Sequence, residues 1–176
     1  LSVKHGDRCA ILAYNCLEYV IAIFATAKLG VILVPLNWRL SIPELAFNIN
    51  DSGAEMLIFD DSFQETASAL QQQTTIQRMI RVGETQPTKE TGFETLLASQ
   101  PDELPKTDRK VDLDTPHIIM YTAGTTGKPK GAILSQGASF YNAINLMVDM
   151  QFGPDDRNLS VLPMFPPAPV LPICRS

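Results

Sequence analysis

The chain of 176 residues has no excess of basic side chains and no apolar run long enough to cross a bilayer. Its 14 lysine and arginine residues against 19 aspartate and glutamate residues give a net charge of −5, whereas nucleic-acid-binding domains usually carry a basic face. The most apolar run, YVIAIFATA at residues 19–27, falls short of the roughly 20 residues that a transmembrane helix needs. These absences argue against a nucleic-acid partner and against an integral membrane protein.

Cysteine and histidine are also scarce. The three cysteines, Cys9, Cys16 and Cys174, show no Cys-x-x-Cys spacing, and their odd number does not suggest a disulfide framework. The two histidines, His5 and His117, stand alone, so we assign neither of them a catalytic or metal-binding role. We expect free thiols, no protein metal site and a reducing, cytoplasmic location.

Strand-like apolar runs alternate with helix-like segments along the first half of the chain. The expected strands lie at residues 8–14, 31–35, 55–60 and 78–82. The expected helices begin after Asn15, after Ser41 and at Asp61, and the last extends to about Gln72. Asn15 with Glu18, and Ser41 with Glu44, have the spacing of capping boxes. This alternation predicts an α/β fold with a layered, mostly parallel β-sheet flanked by helices.

The second half opens with a polar, proline-broken connection at residues 83–116, in which FETLLAS predicts one short helix. Strands are expected at HIIMYTA and GAILS, on either side of a glycine-rich segment, and again at LSVLPMF, residues 159–165. Ser135 is positioned to cap a helix that carries Phe140 and Ile144. Closely spaced prolines after Phe165 exclude further helix or central strand.

The glycine-rich segment, YTAGTTGKPKGAILS at residues 121–135, has the chemistry of an anion-binding loop. Its glycines, Gly131 included, allow positive φ and a close backbone approach to a ligand, and consecutive N–H groups can form an anion nest. The side chains contribute hydroxyls and cations, which suit a polyphosphate because its oxygens are acceptors. The candidate binding residues are Thr122, Ala123, Gly124, Thr125, Thr126, Gly127, Lys128 and Lys130.

The spacing of this segment is not that of a Walker A loop. That pattern places four residues between its glycines and then opens a helix, whereas Gly124 and Gly127 are closer together, Pro129 follows the lysine, and a strand follows the loop. A generic P-loop nucleotidase is therefore disfavoured. The alternative from the loop alone is a surface turn whose lysines face water.

YTAGTTGKPKG closely resembles the signature loop of the adenylate-forming enzymes, which include acyl-CoA synthetases, luciferases and the adenylation domains of peptide synthetases. The flanking residues 6–61 and 153–165 are similar to the corresponding regions of that family, and PLNWRL looks most like the acyl-CoA synthetase branch. The resemblance implies part of the large N-terminal domain of such a ligase. It further implies a reaction in which a fatty or aromatic carboxylate attacks ATP, and coenzyme A then takes the acyl group from the adenylate.

The family uses this loop to hold the β- and γ-phosphates of ATP, commonly with Mg²⁺. The resemblance therefore assigns Thr122, Thr125, Thr126, Lys128 and Lys130 to the leaving pyrophosphate, and it assigns no catalytic residue to this chain. The implied partners are small molecules: ATP, a carboxylic acid and coenzyme A. A homo-oligomer is also expected, because part of a domain exposes apolar surface.

The resemblance ends after Phe165, where Pro166 occupies the place of a family histidine. We interpret residues 1–165 as a partial N-terminal adenylate-forming domain and residues 166–176 as a non-family tail, truncated or out of frame. The family's adenine- and ribose-binding segments and its C-terminal domain are not found, so we expect the chain alone to be inactive. The alternative is a non-catalytic nucleotide-binding or scaffold remnant of the fold.

Overall fold

A computed structural model describes residues 3–83, 91–103, 107, 109–122, 128–151, 156–157, 159 and 162–165. The strands are β1 (Arg8–Leu12), β2 (Ile32–Pro35), β3 (Met56–Asp60), β4 (Arg78–Val82), β5 (Thr91–Gly92), β6 (Pro116–Thr122) and β7 (Lys130–Ser135). The α-helices are α1 (Leu17–Leu29), α2 (Ile42–Ser52), α3 (Gln64–Gln73), α4 (Phe93–Ala98) and α5 (Gln136–Asp149). Across these ranges, no helix combines the length and apolar character that a membrane span requires.

The strands form one seven-stranded sheet in the order β5-β4-β3-β1-β2-β6-β7. Every neighbouring pair is parallel except β6 and β7, which are antiparallel. The predicted α/β fold with a mostly parallel sheet is therefore confirmed.

Both faces of the central strands are covered, so successive residues of such a strand enter different cores. Cys9 and Ile11 of β1 pack on the side of α1, whereas Ala10 and Leu12 pack on the side of α2 and α3. Strands buried on both faces have continuous apolar sequences rather than alternating ones. This double burial explains why the apolar runs of β1 to β4 were recognisable in the sequence.

The second predicted capping box is present at the start of α2. The Ser41 N–H donates to Glu44 Oε2 at 2.8 Å, and the Ser41 side chain accepts from the helix backbone in return. Hydrogen bonds from Ser41 lower the pKa of the Glu44 carboxyl. The helix ends at Gly53, whose φ of 66° is the left-handed conformation that glycine adopts without strain.

Three local predictions were wrong. The residue before α1 is Cys16, and the Asn15 side chain does not cap that helix because it binds residues distant in sequence. The chain from Asp61 to Phe63 is a 3₁₀ turn, with the α-helix beginning at Gln64. At residues 159–165 the described positions form no strand, since their backbone groups bond to Asn15 and Tyr19.

Cys9 and Cys16 are free thiols, as predicted, and they differ in burial. Burial raises the pKa of the fully enclosed Cys9 to about 12, and it raises the pKa of the half-buried Cys16 to about 11. Cys174 lies outside the described residues. We expect iodoacetamide at about pH 8 to leave Cys9 unmodified in the folded protein, because the reactive species is the accessible thiolate.

Peptide mass spectrometry measures this protection directly. Cys16 serves as the internal comparison and should be modified first, while Cys9 should become reactive only in denaturant. Modification of Cys9 in the native chain at the rate of an exposed thiol would contradict the assignment of Cys9 to the core.

Candidate phosphate-binding site

The glycine-rich segment is the connection of a β-hairpin formed by β6 and β7. Thr122, the last residue of β6, is paired with Lys130, the first residue of β7. Paired residues of antiparallel strands point to one face, with their Cβ atoms about 4.5–5.5 Å apart. The hairpin therefore brings the side chains of Thr122 and Lys130 together at the base of the loop.

The structure describes three of the candidate binding residues, Thr122, Lys128 and Lys130, and all three are exposed. Neither lysine forms an ion pair with a carboxylate elsewhere in the described ranges. Ala123, Gly124, Thr125, Thr126 and Gly127 lie outside the described residues, so their role in binding stays a prediction.

The loop leaves the sheet at the carboxyl edge of its parallel strands. Leu33 of β2 is in register with both Cys9 of β1 and Ile118 of β6, so these three strands end close to the same edge. Ligands of open α/β sheets bind in the crevice outside the carboxyl ends of the strands. The hairpin therefore presents its donors where this class of sheet binds ligands.

The donor chemistry of the described loop residues fits a polyphosphate. A threonine hydroxyl can donate one hydrogen bond and each lysine ammonium group three, and phosphate oxygens accept all of these. Among the described residues, no group of three histidine, cysteine, aspartate or glutamate side chains could hold a metal ion. The described loop residues therefore fit the phosphates of a ligand, and the binding of Mg²⁺ stays a prediction.

Gly131 does not adopt the positive φ that the glycine-rich segment allows. It is an ordinary residue of β7. Its lack of a side chain serves packing: a Cβ there would lie 2.9 Å from Ile119 Cγ2 and 3.2 Å from Tyr121 Cζ. The Tyr121 ring therefore occupies the space beside Gly131.

The Tyr121 hydroxyl donates to Asp51 Oδ2 at 2.7 Å and ties the hairpin to α2. Burial, followed by the Asp51 carboxylate, raises the pKa of Tyr121, which keeps this donor protonated.

The other end of the hairpin is fixed to α5. Ser135 caps this helix, as predicted, by accepting a hydrogen bond from the Ala138 N–H at 3.2 Å. The buried His117 ring of β6 lies 3.0 Å from Ser139 Oγ through its Nδ1 atom. Burial lowers the pKa of His117, so the ring is neutral near pH 7 and acts as a structural contact.

Sequence reasoning missed a cluster of aromatic side chains beside this edge. The Trp38 ring centroid lies 5.1 Å from that of Tyr14 and 5.8 Å from that of Phe165. The Arg39 guanidinium stacks over Trp38 at 4.3 Å from the ring centroid. Phe165 follows Trp38 by far too many residues for a local sequence pattern to have indicated the contact.

The sequence matches known proteins along almost its whole length. Residues 1–171 match the family model described as AMP-binding enzyme. The chain is 38% identical over 172 residues to a feruloyl-CoA synthase of Amycolatopsis sp, covering 98% of this chain and 32% of that protein. It is 37% identical over 163 residues to an indoleacetate–CoA ligase of Aromatoleum aromaticum, covering 93% of this chain and 32% of that protein. The chain thus spans about a third of the length of these curated relatives.

Solved structures agree with the sequence matches. A long-chain-fatty-acid–CoA ligase from Archaeoglobus fulgidus superposes with a TM-score of 0.85 at 26% identity, covering 97% of this chain and 33% of that chain. An o-succinylbenzoate–CoA synthetase from Bacillus subtilis, in complex with its acyl-adenylate intermediate, gives a TM-score of 0.76 at 30% identity, covering 99% of this chain and 32% of that chain.

Proposed function

Because the chain belongs to the AMP-binding enzyme family, we propose that its hairpin loop holds the β- and γ-phosphates of ATP in an acid–thiol ligase. In the proposed reaction, a carboxylate oxygen attacks the α-phosphorus of ATP and pyrophosphate leaves. The thiol of coenzyme A then attacks the acyl carbon of the adenylate, and AMP leaves. The observation that carries the proposal is the pairing of Thr122 with Lys130 at the carboxyl edge of the sheet.

The proposed role of the loop is electrostatic. Negative charge grows on the leaving pyrophosphate, and cations already placed there stabilise it without reorganisation. Lys128 and Lys130 supply this positive charge, and the hydroxyl of Thr122 donates to a phosphate oxygen. We propose that Thr125, Thr126 and the intervening backbone amides complete the set. Mg²⁺, when bound to the phosphates, would neutralise further charge.

The proposed acid is an aromatic or fatty carboxylic acid. Relatives of this chain are named for ferulate and indoleacetate, and a solved neighbour is named for long-chain fatty acids. A cytoplasmic location and a place in fatty acid metabolism belong to the same proposal. These relatives are CoA ligases, which favours an enzyme over a scaffold remnant as the function of the protein.

The complete reaction is proposed for this chain together with the segments of its relatives that it does not match. Alone, we expect it to bind ATP without forming an adenylate. The division into a domain at residues 1–165 and a tail at residues 166–176 also stays a prediction.

Calorimetric titration of the chain with MgATP tests the proposal. We expect saturable binding that inorganic pyrophosphate displaces, and much weaker binding of AMP, because AMP lacks the two phosphates that the loop holds. AMP binding as tightly as ATP would contradict the assignment of the loop to the terminal phosphates. A chain that binds neither nucleotide would favour the scaffold alternative.

We also propose that the chain self-associates through the outer side of β7 and α5. In the described ranges, β7 has a strand neighbour on one side, and such edges pair readily with other strands. On β7 itself Ile133 is exposed by 64%, and on α5 Phe140 and Val148 are exposed by 53% and 72%. A second copy that pairs with this edge would cover apolar side chains of β7 and α5.

Ile133→Lys is therefore expected to shift the chain toward the monomer, because a charge on an edge strand opposes strand pairing. Light scattering after gel filtration, over a series of concentrations, measures the mass. Leu17→Lys is the control, since Leu17 is 70% exposed on α1 and lies away from β7. Equal masses for Ile133→Lys and the unmodified chain would refute this interface.

A further inference from the structure

We propose that Asn15 is a positioning residue for the ATP site. Its carboxamide holds residues 162–165, called the edge segment below, against the carboxyl edge of the sheet. There the edge segment forms one wall of the nucleotide site beside the phosphate-binding hairpin. This inference rests on the proposed function, and it assigns a role to a residue outside the glycine-rich loop.

The carboxamide of Asn15 uses both of its polar ends on the edge segment. Its Nδ2 donates to the Leu162 carbonyl at 2.7 Å, and its Oδ1 accepts from the Met164 N–H at 2.9 Å. The Tyr19 hydroxyl adds a third bond by donating to the Met164 carbonyl at 3.3 Å. A side-chain amide carries both a donor and an acceptor, whereas a carboxylate only accepts. The contact therefore depends on an amide at position 15.

The side chains of the edge segment are inserted, not merely laid on the surface. Met164 and Phe165 are exposed by only 6% and 7%. Met164 packs into the core that contains Tyr19, and Phe165 packs edge-on against Trp38 with an interplanar angle of 87°. The two hydrogen bonds with Asn15 thus fix the backbone that leads into these anchored side chains.

The position of Asn15 relates this contact to the hairpin. Asn15 follows β1 and Trp38 follows β2, while the hairpin loop follows β6. Strand β2 lies between β1 and β6, and neighbouring strands are about 4.8 Å apart, so the strand axes of β1 and β6 are roughly 10 Å apart. A nucleotide whose terminal phosphates lie in the loop is long enough to span that distance if it runs toward β1, as we propose. The edge segment is therefore placed to border the ligand.

Asn50 provides a matched comparison at the opposite edge of the sheet. Like Asn15 it is exposed, its Nδ2 donates to the Gln73 carbonyl at 3.4 Å, and its Oδ1 accepts from the Thr75 N–H at 3.1 Å. These contacts lie where α2 and α3 return to the starts of β3 and β4. Asn50 thus makes the same two-bond contact with a connection other than the edge segment.

The test uses Asn15→Asp, which keeps the shape and the acceptor but loses the donor, and Asn15→Ala, which loses both groups. Trp38 is the single tryptophan of the chain, so quenching of its fluorescence by acrylamide reports the docking of Phe165. Calorimetry with MgATP gives the dissociation constant, and circular dichroism establishes that each variant is folded. Asn50→Ala is the control.

We expect both Asn15 variants to raise the quenching constant of Trp38 about twofold, and to raise the dissociation constant for ATP roughly fivefold, as for one or two lost hydrogen bonds. Asn50→Ala should lower the unfolding temperature while leaving both values unchanged. If Asn15→Ala does not fold, the isosteric Asn15→Asp carries the comparison.

The outcomes separate this inference from the proposed function. Unchanged Trp38 quenching in folded Asn15 variants would overturn the positioning role. Increased quenching with unchanged ATP affinity would show that the edge segment is no wall of the site, while the proposed function would stand. Absence of ATP binding by the unmodified chain would instead overturn the proposed function, and the wall assignment with it.

Discussion

The double variant Lys128→Ala/Lys130→Ala is expected to bind ATP about 10- to 100-fold more weakly than the unmodified chain. In the proposed function each lysine supplies a charged donor to the phosphates, and such hydrogen bonds contribute about 1.5–3 kcal/mol when they are formed. Solvent reduces the contribution of exposed charges, so we expect a loss smaller than the sum for two such bonds. AMP affinity should change far less, because AMP lacks the β- and γ-phosphates. Titration calorimetry with both nucleotides measures the difference.

Lys110→Ala is the matched control for this experiment. Lys110 is an exposed lysine outside the hairpin, so its removal changes the net charge by the same amount per site. Its effect on ATP affinity should be small at about 0.15 M salt, where charges separated by more than about 8 Å are screened. Equal losses in the Lys110 and hairpin variants would indicate a general charge effect and would contradict a specific phosphate site.

The second large effect is expected in the core of the sheet. Phe59 lies on β3 with its side chain fully buried between the sheet and the α2–α3 layer. Phe59→Ala should lower the free energy of unfolding by about 3–5 kcal/mol, because it removes apolar contacts and leaves a cavity. Whole domains are stable by only about 5–15 kcal/mol, so this variant should be close to unfolding.

Urea unfolding followed by circular dichroism gives the free energies. Leu17→Ala is the control, because Leu17 on α1 is 70% exposed and lies outside the proposed β7–α5 interface. It should change stability by less than about 0.5 kcal/mol, as most surface substitutions do. Similar unfolding midpoints for the two variants would contradict the assignment of β3 to the centre of a sheet covered on both faces.

The sequence predicted those strands and helix caps that depend on residues close together in the chain. Strands β1 to β4 were recognisable because burial on both faces makes each a short, mostly apolar run. The capping box at Ser41 and the cap at Ser135 were recognisable because a helix start needs its own acceptor within a few residues. The alternation of these elements then predicted the parallel sheet.

The features that were missed or misassigned depend on contacts with other segments of the chain. Asn15 has the spacing of a helix cap, yet its amide binds a segment that follows it by 147 residues, as the contact with Leu162 shows. Gly131 was interpreted as a loop glycine that allows a positive φ, whereas the space beside it is required by Tyr121 on the neighbouring strand. Local patterns carry no information on such partners until the topology is known.

The chemistry of the candidate site was predictable from the sequence, but its position at the carboxyl edge of the sheet and its neighbouring side chains were not. Hydroxyl and lysine side chains in one loop indicated a phosphate ligand, and the structure adds that Thr122 and Lys130 are paired at the carboxyl edge. The antiparallel direction of β6 and β7 follows from the short loop between them, since a parallel pair needs a much longer crossover, but the register of the pair could not be inferred. The bordering aromatic cluster was equally hidden, since its members come from separate connections.

A crystal structure of the chain grown with Mg²⁺ and a non-hydrolysable ATP analogue tests the central claim most directly. We predict that the terminal phosphate oxygens lie within about 2.7–3.2 Å of the Thr122 hydroxyl and of at least one of the ammonium groups of Lys128 and Lys130. A triphosphate bound at another place on the chain, with these three side chains pointing away from it, would contradict the assignment.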